Sequence, residues 1–145
     1  MPTLLPVRPR EAWLAFDAVP VREITGPSDW LPIPGSPARL PGVLAWRGRA
    51  VAVLDLCVAI GDGAAPLSPG TVRHRTLIVG LSHGTLAIPV DAVREVESVS
   101  DELIRAPHAT RVAHARGEVE LEGRWLPVLD LEALVGAALP HKGAG

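Results

Sequence analysis

The sequence has one cysteine, Cys57, and no tyrosine, asparagine or glutamine. A single thiol excludes an intrachain disulfide framework, a CxxC redox pair and a thiolate zinc cage. Without Tyr, Asn or Gln there is no tyrosine acid and no side-chain amide to serve as an oxyanion donor. Aromatics are few: Phe16 stands beside four Trp. No apolar run approaches the roughly 20 residues that cross a bilayer. The opening MPTLLPVRPREAW lacks a basic segment followed by an apolar one, so it does not read as a signal peptide. A cytoplasmic protein with no direct membrane insertion is expected. The formal net charge of −2 and a pI of about 6.2 exert no broad pull on nucleic acid.

Chain breakers, by contrast, are abundant. With 15 Pro and 14 Gly in 145 residues, long helices are disfavoured and short elements joined by turns are favoured. The composition, 48% hydrophobic and 21% charged, is that of a globular chain. A chain of this size buries roughly 68–70% of its unfolded surface and needs no disulfide or metal to fold.

An internal repeat organises the chain. Gly48-Arg49-Ala50-Val51-Ala52-Val53-Leu54-Asp55-Leu56 matches Gly123-Arg124-Trp125-Leu126-Pro127-Val128-Leu129-Asp130-Leu131 at six of nine positions. Upstream, Asp17-Ala18-Val19 recurs as Asp91-Ala92-Val93, and Arg22-Glu23-Ile24 as Arg94-Glu95-Val96, in the same order. The chain therefore reads as one domain, 1–145, of two related halves, about 1–70 and 71–145. The breaker-rich stretch 61–70 is the joint.

Each half reads as short strands. Residues 76–81 and 85–90 are apolar runs around the turn Ser82-His83-Gly84, and 118–121 and 124–129 flank Glu122-Gly123, so both pairs are hairpins. The first half repeats this at 4–7, 13–16, 43–46 and 50–54. Pro6 and Pro9 mark the leading strand as an edge or a poorly formed strand. About five strands per half suggest an all-β fold of two small five-stranded barrels in tandem, since closure removes exposed edges. Asp55 and Asp130 precede short helical stretches, 56–60 and 131–135, closed by Gly61 and Gly136. Asp suits an N-cap and Gly the left-handed residue beyond a helix, so both Asp residues read as caps rather than a catalytic pair.

No side-chain constellation reads as catalytic, metal-binding or cofactor-binding. Cys57 lies among Leu56, Val58 and Ile60 and reads as an inert core thiol. Ser68, Ser82 and Ser98 have no nucleophile elbow, and Gly61-Asp62-Gly63 is not a phosphate loop. The basic stretch 105–116 reads as solvated loop, with Glu118, Glu120 and Glu122 following, and Arg73-His74-Arg75 as linker surface. Trp13 and Trp125 read as core from their strand settings. Trp46 and Trp30, the latter in a Pro-rich loop, read as interface residues.

The segment 40–56, Leu-Pro-Gly-Val-Leu-Ala-Trp-Arg-Gly-Arg-Ala-Val-Ala-Val-Leu-Asp-Leu, resembles a recurrent segment of the chemotaxis coupling family, CheW and its CheW-like domain relatives. Residues 88–96 and 117–131 resemble two further family strings, and the likeness spans nearly the whole chain. Ala45 and Trp46 stand where the family has Asn and an aliphatic residue, which marks a divergent member. The resemblance implies two packed five-stranded barrels with short helices after the Asp-Leu strand ends and at the C-terminus. It implies a non-enzymatic adaptor joining chemoreceptor cytoplasmic tips, held between the barrels, to the regulatory domain of a CheA-type histidine kinase. Carried onto this chain, partner binding falls to Arg47 and Gly48, with Val43, Trp46 and Trp30 around them. Arg47 would be the polar anchor for the receptor, a rigid fork of donors. A small double-barrel module binding a ligand or nucleic acid is the alternative, because small barrels host many functions.

Overall fold

Residues 1–61, 63, 65–68, 74–106 and 112–138 are described by the structure, a computed structural model. Its strands are β1 (Thr3–Arg8), β2 (Leu14–Asp17), β3 (Val21–Thr25), β4 (Leu31–Pro32), β5 (Gly42–Trp46) and β6 (Arg49–Val53), then β7 (Arg75–Leu81), β8 (Gly84–Val90), β9 (Ala92–Val93), β10 (Glu97–Ser98), β11 (Ala115–Leu121) and β12 (Arg124–Leu129). Helix α1 (Leu56–Ile60) follows β6, and α2 (Leu131–Ala138) follows β12. The expected hairpins all form, and the fold is all-β with two subdomains.

The strands are shared out differently from the expectation that each half closes on itself. One sheet runs β10-β1-β2-β12-β11, with β9 also on β1, and the other runs β3-β7-β8-β6-β5-β4. The hairpin that opens each half thus completes the other half's sheet. Each is inserted through a parallel neighbour, β2 against β12 and β8 against β6. Neither sheet closes into a barrel. The two traded hairpins lie against a common core instead. Leu5, Val7, Leu14 and Phe16 meet Leu77, Val79, Leu86 and Ile88 there, sealed by Leu56 and Ile60 of α1 and Leu131, Leu134 and Val135 of α2. Burying a side chain such as Phe16 contributes about 1.5–3 kcal/mol. Smaller clusters fill the hollow of each curved sheet: Trp30, Leu44, Val51, Val53, Leu67, Ile78 and Ala87 in one, Leu4, Ala15, Val99, Val119, Leu126 and Val128 in the other.

Strand β1 is neither an edge nor incomplete. It pairs with β2 on one side and with β9 and β10 on the other. Pro6 is accommodated because its carbonyl, which accepts the Arg94 amide at 3.0 Å, faces the side where Arg94, Glu95 and Val96 interrupt the ladder between β9 and β10. Its missing N–H would have pointed into that gap, so no ladder bond is lost.

Both repeated Asp residues cap helices. Asp55 Oδ1 accepts the Val58 amide at 3.2 Å, and Gly61 closes α1 in the left-handed region at φ 71°. Asp130 Oδ1 accepts the Ala133 amide at 3.1 Å. Gly136, however, does not end the second helix. It lies inside α2, where an added Cβ would come within 3.3 Å of the His83 ring. The glycine serves close packing of α2 on the β7–β8 turn. That turn is also tied to α2 by Glu132, whose carboxylate accepts the Ser82 amide at 2.9 Å and its hydroxyl at 2.6 Å. The Ser82 hydroxyl, then the amide, hold the Glu132 carboxyl below its usual range.

Candidate partner-binding site

Four of the five residues expected to bind a partner surround one hairpin turn. Strands β5 and β6 pair from Gly42↔Val53 out to Trp46↔Arg49, leaving Arg47-Gly48 as a two-residue loop. Both loop residues have positive φ, 48° and 74°, the conformation whose twist matches a hairpin. Gly48 adopts it freely, whereas Arg47 is held there and its side chain, 71% exposed, projects from the tip. The guanidinium stacks 5.0 Å above the Trp46 ring and donates from Nη2 to Glu23 Oε1 at 3.0 Å. Glu23 belongs to β3, the strand at the far end of the same sheet. The sheet therefore curls until its open end is bridged by an ion pair rather than by a ladder.

The other sheet uses the same device with the charges exchanged. Glu122-Gly123, with φ 50° and 78°, turns β11 into β12, Glu122 pairs with Arg94, and Arg94 stacks 4.7 Å from the Trp13 ring. This explains why the repeat keeps a glycine at Gly48 and Gly123.

Val43 is half-buried on β5, and Leu31 lies directly opposite it in the ladder, 71% exposed. With Ile33 and Ala45, also exposed, they give the edge of this sheet an apolar strip beside the Arg47 turn. Leu31 was not singled out from the sequence.

Two tryptophan placements differ from expectation. Trp30 is only 7% exposed and belongs to the core inside the curved sheet. It reaches that core because Gly42 has no side chain. An added Cβ there would lie 2.6 Å from Trp30 Cε3 and 2.0 Å from the Leu31 carbonyl oxygen. Gly42→Ala is accordingly expected to destabilise the fold by about 1–3 kcal/mol, the usual cost of overpacking, read as a lowered urea midpoint. An unchanged midpoint would refute the tight approach. Trp125 is 46% exposed on β12, with Arg105 stacked 4.9 Å from its ring. Cys57 is buried, as expected. Of the basic stretch 105–116, residues 107–111 lie outside the described residues.

A groove of about 590 Å³ opens between the two sheets. Leu129 and Arg116 line it from one sheet, Arg22 and Leu81 from the other, with Val19 from the β2–β3 connection and Leu131 from α2. Val19 is 81% exposed. Arg47, expected to anchor the receptor, does not line this groove. The groove was not legible in the sequence, because its walls come from both halves. No helix among the described residues is long and apolar enough to cross a membrane.

Comparison with known proteins agrees with this architecture. The family model of the CheW-like domain matches residues 3–139. The chain is 32% identical over 118 residues to a probable chemotaxis protein CheW of Rhizobium etli, covering 79% of this chain and 74% of that protein. It is 32% identical over 119 residues to the chemotaxis protein CheW of Rhizobium meliloti, with the same coverage. The crystal structure of the scaffolding protein TtCheW from Thermoanaerobacter tengcongensis superimposes with a TM-score of 0.76 at 25% identity, over 92% of this chain and 88% of that one. A match across nearly all of the chain, in sequence and in fold, places this protein in the CheW-like domain family.

Proposed function

We propose that this chain is a non-enzymatic adaptor that couples the cytoplasmic tips of chemoreceptors to a CheA-type histidine kinase. Family membership and the likeness to a CheW scaffold support a coupling role in chemosensory signalling. The observation that carries the finer reading is the groove between the sheets. An open trough in which exposed Val19 and part-buried Leu81 sit among charged residues suits the apolar stripe of a helical hairpin. The receptor tip is assigned to it.

The Arg47 turn and the apolar strip beside it form the second face. Arg47 offers donors held in place by Trp46 and Glu23, while Leu31 and Val43 offer apolar area. An exposed arginine beside apolar area is the composition of an interface hot spot. The kinase's regulatory domain, itself CheW-like, is assigned to this face, with Arg47, Gly48, Trp46 and Val43 in contact and Trp30 supporting them from within. The two faces share no lining residue, and both partners are expected to bind at once. Purified protein is expected to retain a receptor cytoplasmic fragment and a kinase regulatory domain together on a column. Well-folded protein that captures neither overturns the reading.

A further inference from the structure

The groove between the sheets carries charges of both signs, but only the cations are left unengaged. Asp17 accepts the Val19 amide at 3.0 Å, Asp130 the Ala133 amide at 3.1 Å, and Glu132 both groups of Ser82. The two arginines, Arg22 and Arg116, are exposed, and among the described residues neither makes a hydrogen bond, ion pair or ring stack. Arg22 is also given a place to lie. It crosses β7 at Gly80, where an added Cβ would meet its Nε at 2.5 Å and its Nη2 at 2.9 Å. The missing side chain at Gly80 lets the guanidinium rest on the groove's wall.

We infer that this groove selects an acidic, apolar helix pair, with carboxylates of the partner engaging Arg22 and Arg116 while its apolar stripe covers Val19 and Leu81. The inference rests on the assignment of the receptor tip to this groove and names the chemistry by which the tip is recognised. The three acids and two arginines nearly cancel in charge. Recognition is therefore by directed hydrogen bonds from two guanidinium forks rather than by long-range attraction.

The test titrates a chemoreceptor cytoplasmic-tip fragment into the full chain by calorimetry. Arg22→Ala and Arg116→Ala are each expected to weaken binding about tenfold, and the double variant about a hundredfold, as for the loss of one charge-assisted hydrogen bond per site. Gly80→Ala is expected to act like Arg22→Ala by displacing the guanidinium. Capture of the kinase regulatory domain and the urea midpoint of the two arginine variants stay unchanged. If the unaltered protein binds the fragment and the double variant binds within about twofold of it, the inference is overturned while the groove assignment stands. Loss of kinase-domain binding instead of fragment binding overturns it too, by giving the groove to the other partner. If the unaltered protein does not bind the fragment at all, the groove assignment itself fails and takes the inference with it.

Discussion

Asp55→Ala is expected to destabilise the protein by about 3–5 kcal/mol, and Asp130→Ala by only about 1 kcal/mol, although the two residues are repeats of one another. The shared role is the helix cap, and loss of a cap costs roughly 1 kcal/mol. Asp130 is exposed and does little else. Asp55 is 1% exposed and joins three segments. Its Oδ1 caps α1, its Oδ2 accepts the Leu67 amide at 2.7 Å, and the same oxygen lies 3.4 Å from the Arg10 guanidinium. Arg10 itself is partly buried and also donates to the Ala65 carbonyl. Removing the carboxylate leaves the part-buried Arg10 guanidinium without its counter-ion and the buried Leu67 amide without an acceptor, and losing both costs several kcal/mol. Against a total stability of about 5–15 kcal/mol, this is a large fraction. Asp55→Asn keeps one acceptor, enough for the cap or for the Leu67 amide but not both, so it falls between. Urea unfolding of the three variants checks the order. Equal costs at Asp55 and Asp130 would show that the carboxylate is only a cap.

The same pair of residues shows what sequence reading reaches. N-capping is a local property, fixed by Asp and the three residues after it, and it was legible for both, whereas the closing glycine held for α1 alone. The burial of Asp55 was not, because Arg10 and Leu67 come to it from distant parts of the chain. The hairpins were legible for the same reason as the caps. Arg47-Gly48 and Glu122-Gly123 each need two residues at positive φ between alternating strands.

Which sheet a hairpin joins is a different matter. β1–β2 and β7–β8 are equivalent by repeat, so either assignment satisfies the apolar pattern, and only packing in three dimensions chooses the exchanged one. Trp30 illustrates the point for a single side chain. A tryptophan in a Pro-rich loop has no periodicity to place it, and its burial depends on Gly42 across the ladder. The groove was invisible in turn, since Arg22 and Arg116 meet only because the halves trade hairpins.

Arg47→Glu is expected to weaken binding of the kinase regulatory domain by about thirtyfold or more, with little change in stability. The binding figure follows from an arginine acting as a hot spot, worth about 2 kcal/mol or more. The small effect on folding follows from exposure. The guanidinium is mostly solvated, and an exposed ion pair such as Arg47–Glu23 contributes about 0–1 kcal/mol. Arg47 could nonetheless act only indirectly, by bridging the open end of its sheet to β3. A charge exchange separates the two roles. In Glu23→Arg with Arg47→Glu the bridge re-forms with reversed polarity, as Arg94 and Glu122 already form it in the other sheet. If Arg47 contacts the partner, the exchanged protein stays as weak as Arg47→Glu, because the donor fork at the hairpin tip is gone. Recovery of binding in the exchanged protein would make Arg47 a latch and leave the contact to Trp46, Val43 and Leu31. Receptor-fragment binding stays unchanged in both variants, since Arg47 lies outside the groove between the sheets.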